Sequence, residues 1–322
     1  MRARFRSARF SIAPILLVVI ALALGAVAIS AALARAQEEQ PSSSPAIQSE
    51  ADLVVLPVSV TDHDGHFVSD LTKDNFRVFD DGKPQDVSVF IHGDVEVTVG
   101  LLIDCSGSMR FNRDEVSEAA KDFLESSNPA DQIFVVNFNQ DIEFGLPRGV
   151  PFTSNVAQLE AAVQRGPSEG RTALYDAIAV GARHLAAGRG NKKALILITD
   201  GGDNSSAATF KETLASVQGG SVVVYAIGII DELQADVNTG VLRKLANASG
   251  GEAYFPRAAE QVPSITQQIA HDLREQYTLA YLPNDAKGKG GYRTLRVSVK
   301  APGKKGLKVR TRAGYMARAT TN

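Results

Sequence analysis

The sequence contains no tryptophan, one cysteine and only five histidines among 322 residues, and each scarcity closes off a class of structure. A single cysteine, Cys105, permits no internal disulfide, so stability must rest on packing or on bound metal. The histidines, at positions 63, 66, 92, 184 and 271, have no spacing that would gather a zinc site. An excess of one charge is also missing: 34 Lys and Arg face 36 Asp and Glu, for a formal net charge of -2. That balance argues against nucleic acid as a partner. What remains, 44% hydrophobic and 22% charged residues, is the composition of a chain that buries a core.

A long apolar run occurs once, at the start. Arg2, Arg4, Arg6 and Arg9 precede an uncharged stretch over 10–33, and Ala34-Arg35-Ala36 offers a small-x-small cleavage site. The expectation for 1–36 is a signal peptide or a retained signal anchor, with 10–33 long enough to span a bilayer. Either places the remainder outside the cytoplasm: periplasmic, at the cell surface or secreted. Cleavage after Ala36 would remove five arginines and no acids, taking the formal charge from -2 to -7. Residues 37–50, polar with Pro41, Pro45 and four serines, read as a flexible linker.

Three regimes follow. Over 51–94, short β-branched runs alternate with turn sequences, Thr61 to His66 and Asp80 to Pro84, which predicts strands. Over 95–275, apolar runs alternate with helical periodicity, which predicts a mostly parallel, doubly wound α/β sheet with helices on both faces. Val116, Ala119, Ala120, Phe123 and Leu124, for example, recur at helical spacing. Over 276–322 the pattern returns to strands. The first strand of the α/β unit and the end of its last helix lie at one edge, so the flanks at 51–94 and 276–322 are expected to combine into one discontinuous β-sandwich module.

The chemistry concentrates in Val97 to Met109. Val97 to Ile103 is a nearly continuous apolar run, suited to a strand covered on both faces. Asp104, Ser106 and Ser108 follow at spacing two, so an extended chain would present their oxygens on one side. Ligands of open α/β sheets sit beyond the carboxyl ends of strands. Two other segments supply matching groups: Thr172 at the start of a predicted helix, and Asp200 directly after the apolar run Leu195 to Ile198. Asp104, Ser106, Ser108, Thr172 and Asp200 together offer only hydroxyl and carboxylate oxygens, which suit a hard divalent ion such as Mg²⁺ or Mn²⁺. Cys105, between two of them, is expected to face the core and to be inert.

These residues resemble the von Willebrand factor type A domain and its metal ion-dependent adhesion site. Asp104-x-Ser106-x-Ser108 matches that motif, Thr172 its loop threonine and Asp200 the aspartate of its Thr-Asp-Gly segment. The resemblance covers roughly 95–275, with flanks similar to those of bacterial exported relatives, and implies a Rossmann-like fold. It also implies that the serines and threonine coordinate the ion directly while the aspartates often act through water. One departure is Gly170-Arg171-Thr172, where relatives often carry Gly-Gly-Thr. The function implied is exported, non-enzymatic, metal-dependent adhesion to a protein partner that offers a carboxylate.

Other readings stand beside it. The same residues would serve as caps and turns in a degenerate site without metal. Asp104 would serve as the nucleophile of a metal-dependent hydrolase or phosphatase, although Ser106 stands where such phosphatases carry a second acid. Ser106 lacks the glycine two residues before it that a hydrolase elbow requires. A structural envelope subunit without metal-dependent binding is a third possibility. Asp62, His63, Asp64 and His66 read as a solvated turn rather than a metal cluster. Asp203-Asn204-Ser205 is expected to cap the following helix in preference to shaping the site's rim. Lys287, Lys289, Lys300, Lys304, Lys305 and Lys308 read as exposed lysines that discourage edge aggregation.

Overall fold

The computed structural model describes residues 53–230, 238–284 and 290–317. The signal segment, the linker, Lys287 and Lys289 lie outside them. No helix among the described residues is long and apolar enough to cross a membrane.

The apolar runs become the middle of a six-stranded sheet. Strands β5 (Val97–Asp104), β6 (Gln132–Phe138), β8 (Lys192–Thr199) and β9 (Val223–Gly228) are parallel, in the order β9-β8-β5-β6. Two short edge strands complete it: β7 (Ile142–Phe144), antiparallel to β6, and β10 (Ala253–Tyr254), parallel to β9. All eight residues of β5 are buried, because helices cover both faces. Helices α1 (Arg113–Glu125), α2 (Val156–Val163) and α6 (Val262–Glu275) form one layer, and α3 (Leu174–Leu185), α4 (Phe210–Gly219) and α5 (Thr239–Ser249) the other. The five apolar residues that mark α1 in the sequence are all buried. Local capping sets several starts: the Asn155 side chain accepts from Gln158 N ahead of α2, and Thr209 and Glu212 form a capping box ahead of α4.

The chain leaves β5 toward β6 on one side and returns to place β8 on the other. Strand order therefore reverses between β5 and β8, and a crevice opens beyond their carboxyl ends. In the register between them Ile103 faces Ile198, so Asp104 and Thr199 end the two strands side by side.

The flanking segments form two antiparallel sheets. One has the order β13-β1-β11-β4, from Lys308–Thr311, Val54–Thr61, Tyr277–Tyr281 and Val89–Ile91. The other has the order β14-β12-β2-β3, from Gly314–Ala317, Gly291–Val299, Phe76–Asp80 and Lys83–Gln85. They share a core that includes Leu56, Val58, Phe76, Val78, Tyr277, Leu279 and Val297, the discontinuous β-sandwich that the order of elements predicts. Within it the turn at Asp80 to Pro84 is tighter than the sequence suggests. Asp81 and Gly82, with φ of 46° and 77°, form a two-residue hairpin turn, and Lys83 onward is already β3. Val87 to Ile91 crosses to the other sheet, where β4 pairs with β11.

Buried polar bridges join sandwich and α/β layers. Asp272 of α6 accepts from Ser59 Oγ of β1 at 2.6 Å and Tyr225 OH of β9 at 2.7 Å, and from the Arg310 guanidinium of β13. Lys192 Nζ donates to the carbonyls of Leu273 and Arg274, closing the carboxyl end of α6. Arg312 does the same for α4 through the carbonyls of Gln218 and Gly220.

Candidate metal centre

All five oxygen-bearing residues singled out in the sequence come together in the crevice beyond β5 and β8. Strand β5 ends at Asp104, and the chain then turns rather than staying extended, with Ser108–Asn112 forming a short 3₁₀ helix. Spacing two therefore does not align the three oxygens in the way an extended chain would. The turn still brings Ser106 Oγ and Ser108 Oγ within 3.2 Å, and Ser108 Oγ donates to Asp200 Oδ1 at 2.7 Å. Asp104 Oδ1 accepts from Ser106 N at 2.8 Å, which fixes the turn's first residue.

Thr172 enters from the loop before α3. That loop is fastened to the first one by Gly107 N donating to Gly170 O and Glu169 N to Cys105 O. A Cβ on Gly201 would stand 3.6 Å from Thr172 Oγ1, which places this hydroxyl beside the Asp200–Gly201 turn. Among the described residues that hydroxyl makes no hydrogen bond, although Thr172 is buried.

Asp104 is 1% exposed, and burial, with the Asp200 charge as a lesser contribution, pushes its carboxyl up to about 6. Cys105 is buried on the other side of the chain, and burial raises its thiol to about 11, as the alternation predicts for an inert core residue.

Three residues support the site: Thr199 and Gln140 carry no role in the sequence reading, and Asn204 stands there as a helix cap in preference to the rim. Thr199 Oγ1 donates to Asp104 Oδ2 at 2.5 Å and accepts from Gly201 N, tying the two strand ends together. Its position before Asp200 is the one local signal it carries. Asn204 Oδ1 accepts from Thr172 N at 2.8 Å, and Asn204 N and Ser205 N donate to Thr172 O. The expectation that Asp203-Asn204-Ser205 caps a helix is thus corrected: Thr209 is the cap of α4, and these residues hold the threonine loop against the site. Gln140 Oε1 accepts from Arg171 N, in space left open by Gly170, whose φ is +83° and whose absent Cβ would lie 1.8 Å from that oxygen. The Arg171 guanidinium turns to the Asn204 carbonyl.

The donor set fits a hard divalent cation: hydroxyls and carboxylates converge, and the Asp200 charge stands close enough to raise the Asp104 carboxyl. Among the described residues, no histidine is hydrogen-bonded to any of the five. The turn at 62–66 gathers Asp62, Asp64 and His66 within 4.8 Å, but Asp62 Oδ1 accepts from the backbone N–H of both Asp64 and His66, the bonding of a solvated turn.

Comparison with known proteins bears on the fold alone. A von Willebrand factor type A protein from Catenulispora acidiphila aligns over 84% of this chain and 75% of its own, at 16% identity and a TM-score of 0.51. Proximal thread matrix protein 1 of the mussel byssus, in a form with a zinc-occupied MIDAS motif, aligns over 60% of this chain at 18% identity and a TM-score of 0.47. This chain covers 49% of it, about half that protein's length. BatB from Bacteroides thetaiotaomicron aligns over 55% of this chain and 98% of its own, at 18% identity and a TM-score of 0.44. No curated protein matches the sequence. The von Willebrand factor type A domain model matches residues 98–268, just over half of the sequence, and the chain belongs to that family.

Proposed function

We propose that this chain is a non-enzymatic interaction module that binds an acidic group of a protein partner through a divalent ion, Mg²⁺ or Mn²⁺, outside the cytoplasm. The observation that carries the reading is the meeting of Asp104, Ser106, Ser108, Thr172 and Asp200 at the point where strand order reverses. Ser106, Ser108 and Thr172 would hold the ion with hydroxyl oxygens, and Asp104 and Asp200 would balance its charge. Neutral hydroxyl ligands leave a bound ion electrophilic, which is the chemistry that attracts a partner's carboxylate.

Thr199 and Ser106 N hold the Asp104 carboxylate in one orientation through both of its oxygens. Asn204 and Gln140 fix the threonine loop, so the donors are positioned before any partner arrives. A hydrolase or phosphatase built on Asp104 would need a general acid or base in reach. Among the described residues no histidine is bonded to the five, which favours binding over turnover.

Two assays separate the readings. Hydrolysis of p-nitrophenyl phosphate with Mg²⁺ should stay at the level of buffer, and turnover that disappears in Asp104→Asn would establish the enzyme instead. Binding of an aspartate-containing peptide should disappear with chelator and return with Mg²⁺. Binding indifferent to chelator would favour a structural subunit.

A further inference from the structure

The turn that carries Ser108 also carries the most exposed large apolar side chain among the described residues. Phe111 is 82% exposed, whereas its neighbour Met109 is fully buried. Both Ser108 and Phe111 belong to the 3₁₀ helix Ser108–Asn112. In a 3₁₀ helix, residues three apart eclipse one another, with a rise of about 2 Å per residue. Phe111 therefore stands on the same side of the turn as Ser108, about 6 Å along it. The Ser108 hydroxyl faces Ser106 and Asp200, so the exposed ring flanks the oxygen cluster. Arg110, also exposed, adds positive charge to the same turn.

We infer that Phe111 is a specificity-determining contact, and that the partner presents an Asp or Glu with a large apolar residue two positions away in an extended segment. The inference rests on the proposed metal-dependent binding. In an extended chain, residues i and i+2 project from one face about 6.6 Å apart, which matches the step from Ser108 to Phe111. The residue between them points away and is unconstrained. A carboxylate received at the Ser108 end then brings the apolar side chain onto the ring. The positive Arg110 favours an acidic segment over a basic one.

The test uses the full chain and three blocked peptides: acetyl-Gly-Leu-Gly-Asp-Gly-amide, acetyl-Gly-Asp-Gly-Leu-Gly-amide and acetyl-Gly-Gly-Gly-Asp-Gly-amide. With Mg²⁺, at least one leucine peptide should bind on the order of tenfold more tightly than the all-glycine peptide and shift the Phe111 ring resonances. Phe111→Ser, a change at an exposed position, should erase that preference while leaving Mg²⁺ affinity and all-glycine peptide binding unchanged. Equal Mg²⁺-dependent affinity for all three peptides, or a preference that survives Phe111→Ser, would overturn this inference alone. Chelator-insensitive binding, or no binding of any peptide, would overturn the metal-site reading and this inference with it.

Discussion

At the scale of single residues, the site turns on a carboxyl whose titration is governed first by its burial. Asp104 titrates near 6 against an ordinary value of 3.8, so between those values the folded chain binds more protons than the unfolded one. The stability of the metal-free protein should therefore fall as pH rises from about 4 to about 6, by on the order of 3 kcal/mol in full. A bound cation favours the carboxylate, so divalent affinity should weaken about tenfold for each pH unit below about 6. Denaturant melts with chelator and calorimetric titrations across that range measure the two effects; pH-independent affinity would argue against Asp104 as part of the site. The five oxygen residues were legible in the sequence because each follows an apolar strand or opens a helix, where a polar side chain is conspicuous. Thr199 was not, and Asn204 was legible only as a rim residue ranked behind a helix cap. Their roles come from the register of β5 against β8 and from a loop crossing to Thr172, and neither is encoded by local spacing.

At the scale of elements, the central strand owes its place to a residue without a side chain. A Cβ at Gly100 of β5 would stand 2.4 Å from Phe134 Cζ of β6 and 2.8 Å from Leu195 Cδ2 of β8. Gly100→Ala should destabilise the fold by about 1–3 kcal/mol through overpacking, lowering the thermal midpoint seen by circular dichroism. Buried parallel strands were readable because both faces are covered and their apolar runs are nearly continuous. The β-rich flanks were read less sharply. The segment Asp80 to Pro84 looks like one turn, yet it holds a two-residue hairpin and the start of β3. Strand β14, Gly314–Ala317, has only four residues and is specified by its pairing with β12 rather than by any pattern of its own.

For the whole molecule, the sandwich and the α/β layers are tied by charges removed from water. Asp272 and Arg310 lie far apart in sequence and meet between α6 and β13, with Ser59 and Tyr225 completing the carboxylate's bonds. Arg310→Ala would leave a buried carboxylate without its cation and should cost about 3–5 kcal/mol, read from denaturant unfolding. A loss below 1 kcal/mol would mean that the junction does not depend on this pair. That the flanks combine was deducible from where the first parallel strand begins and the last helix ends; the residues that join them were not, because the pairing is tertiary. The central claim is that Asp104, Ser106, Ser108, Thr172 and Asp200 form a divalent-ion site. Calorimetric titration of Mg²⁺ into the full chain and into Asp104→Ala, with circular dichroism to establish that both are folded, tests it most directly. The account predicts saturable binding to the first and none to the second; equal affinity for both would contradict it.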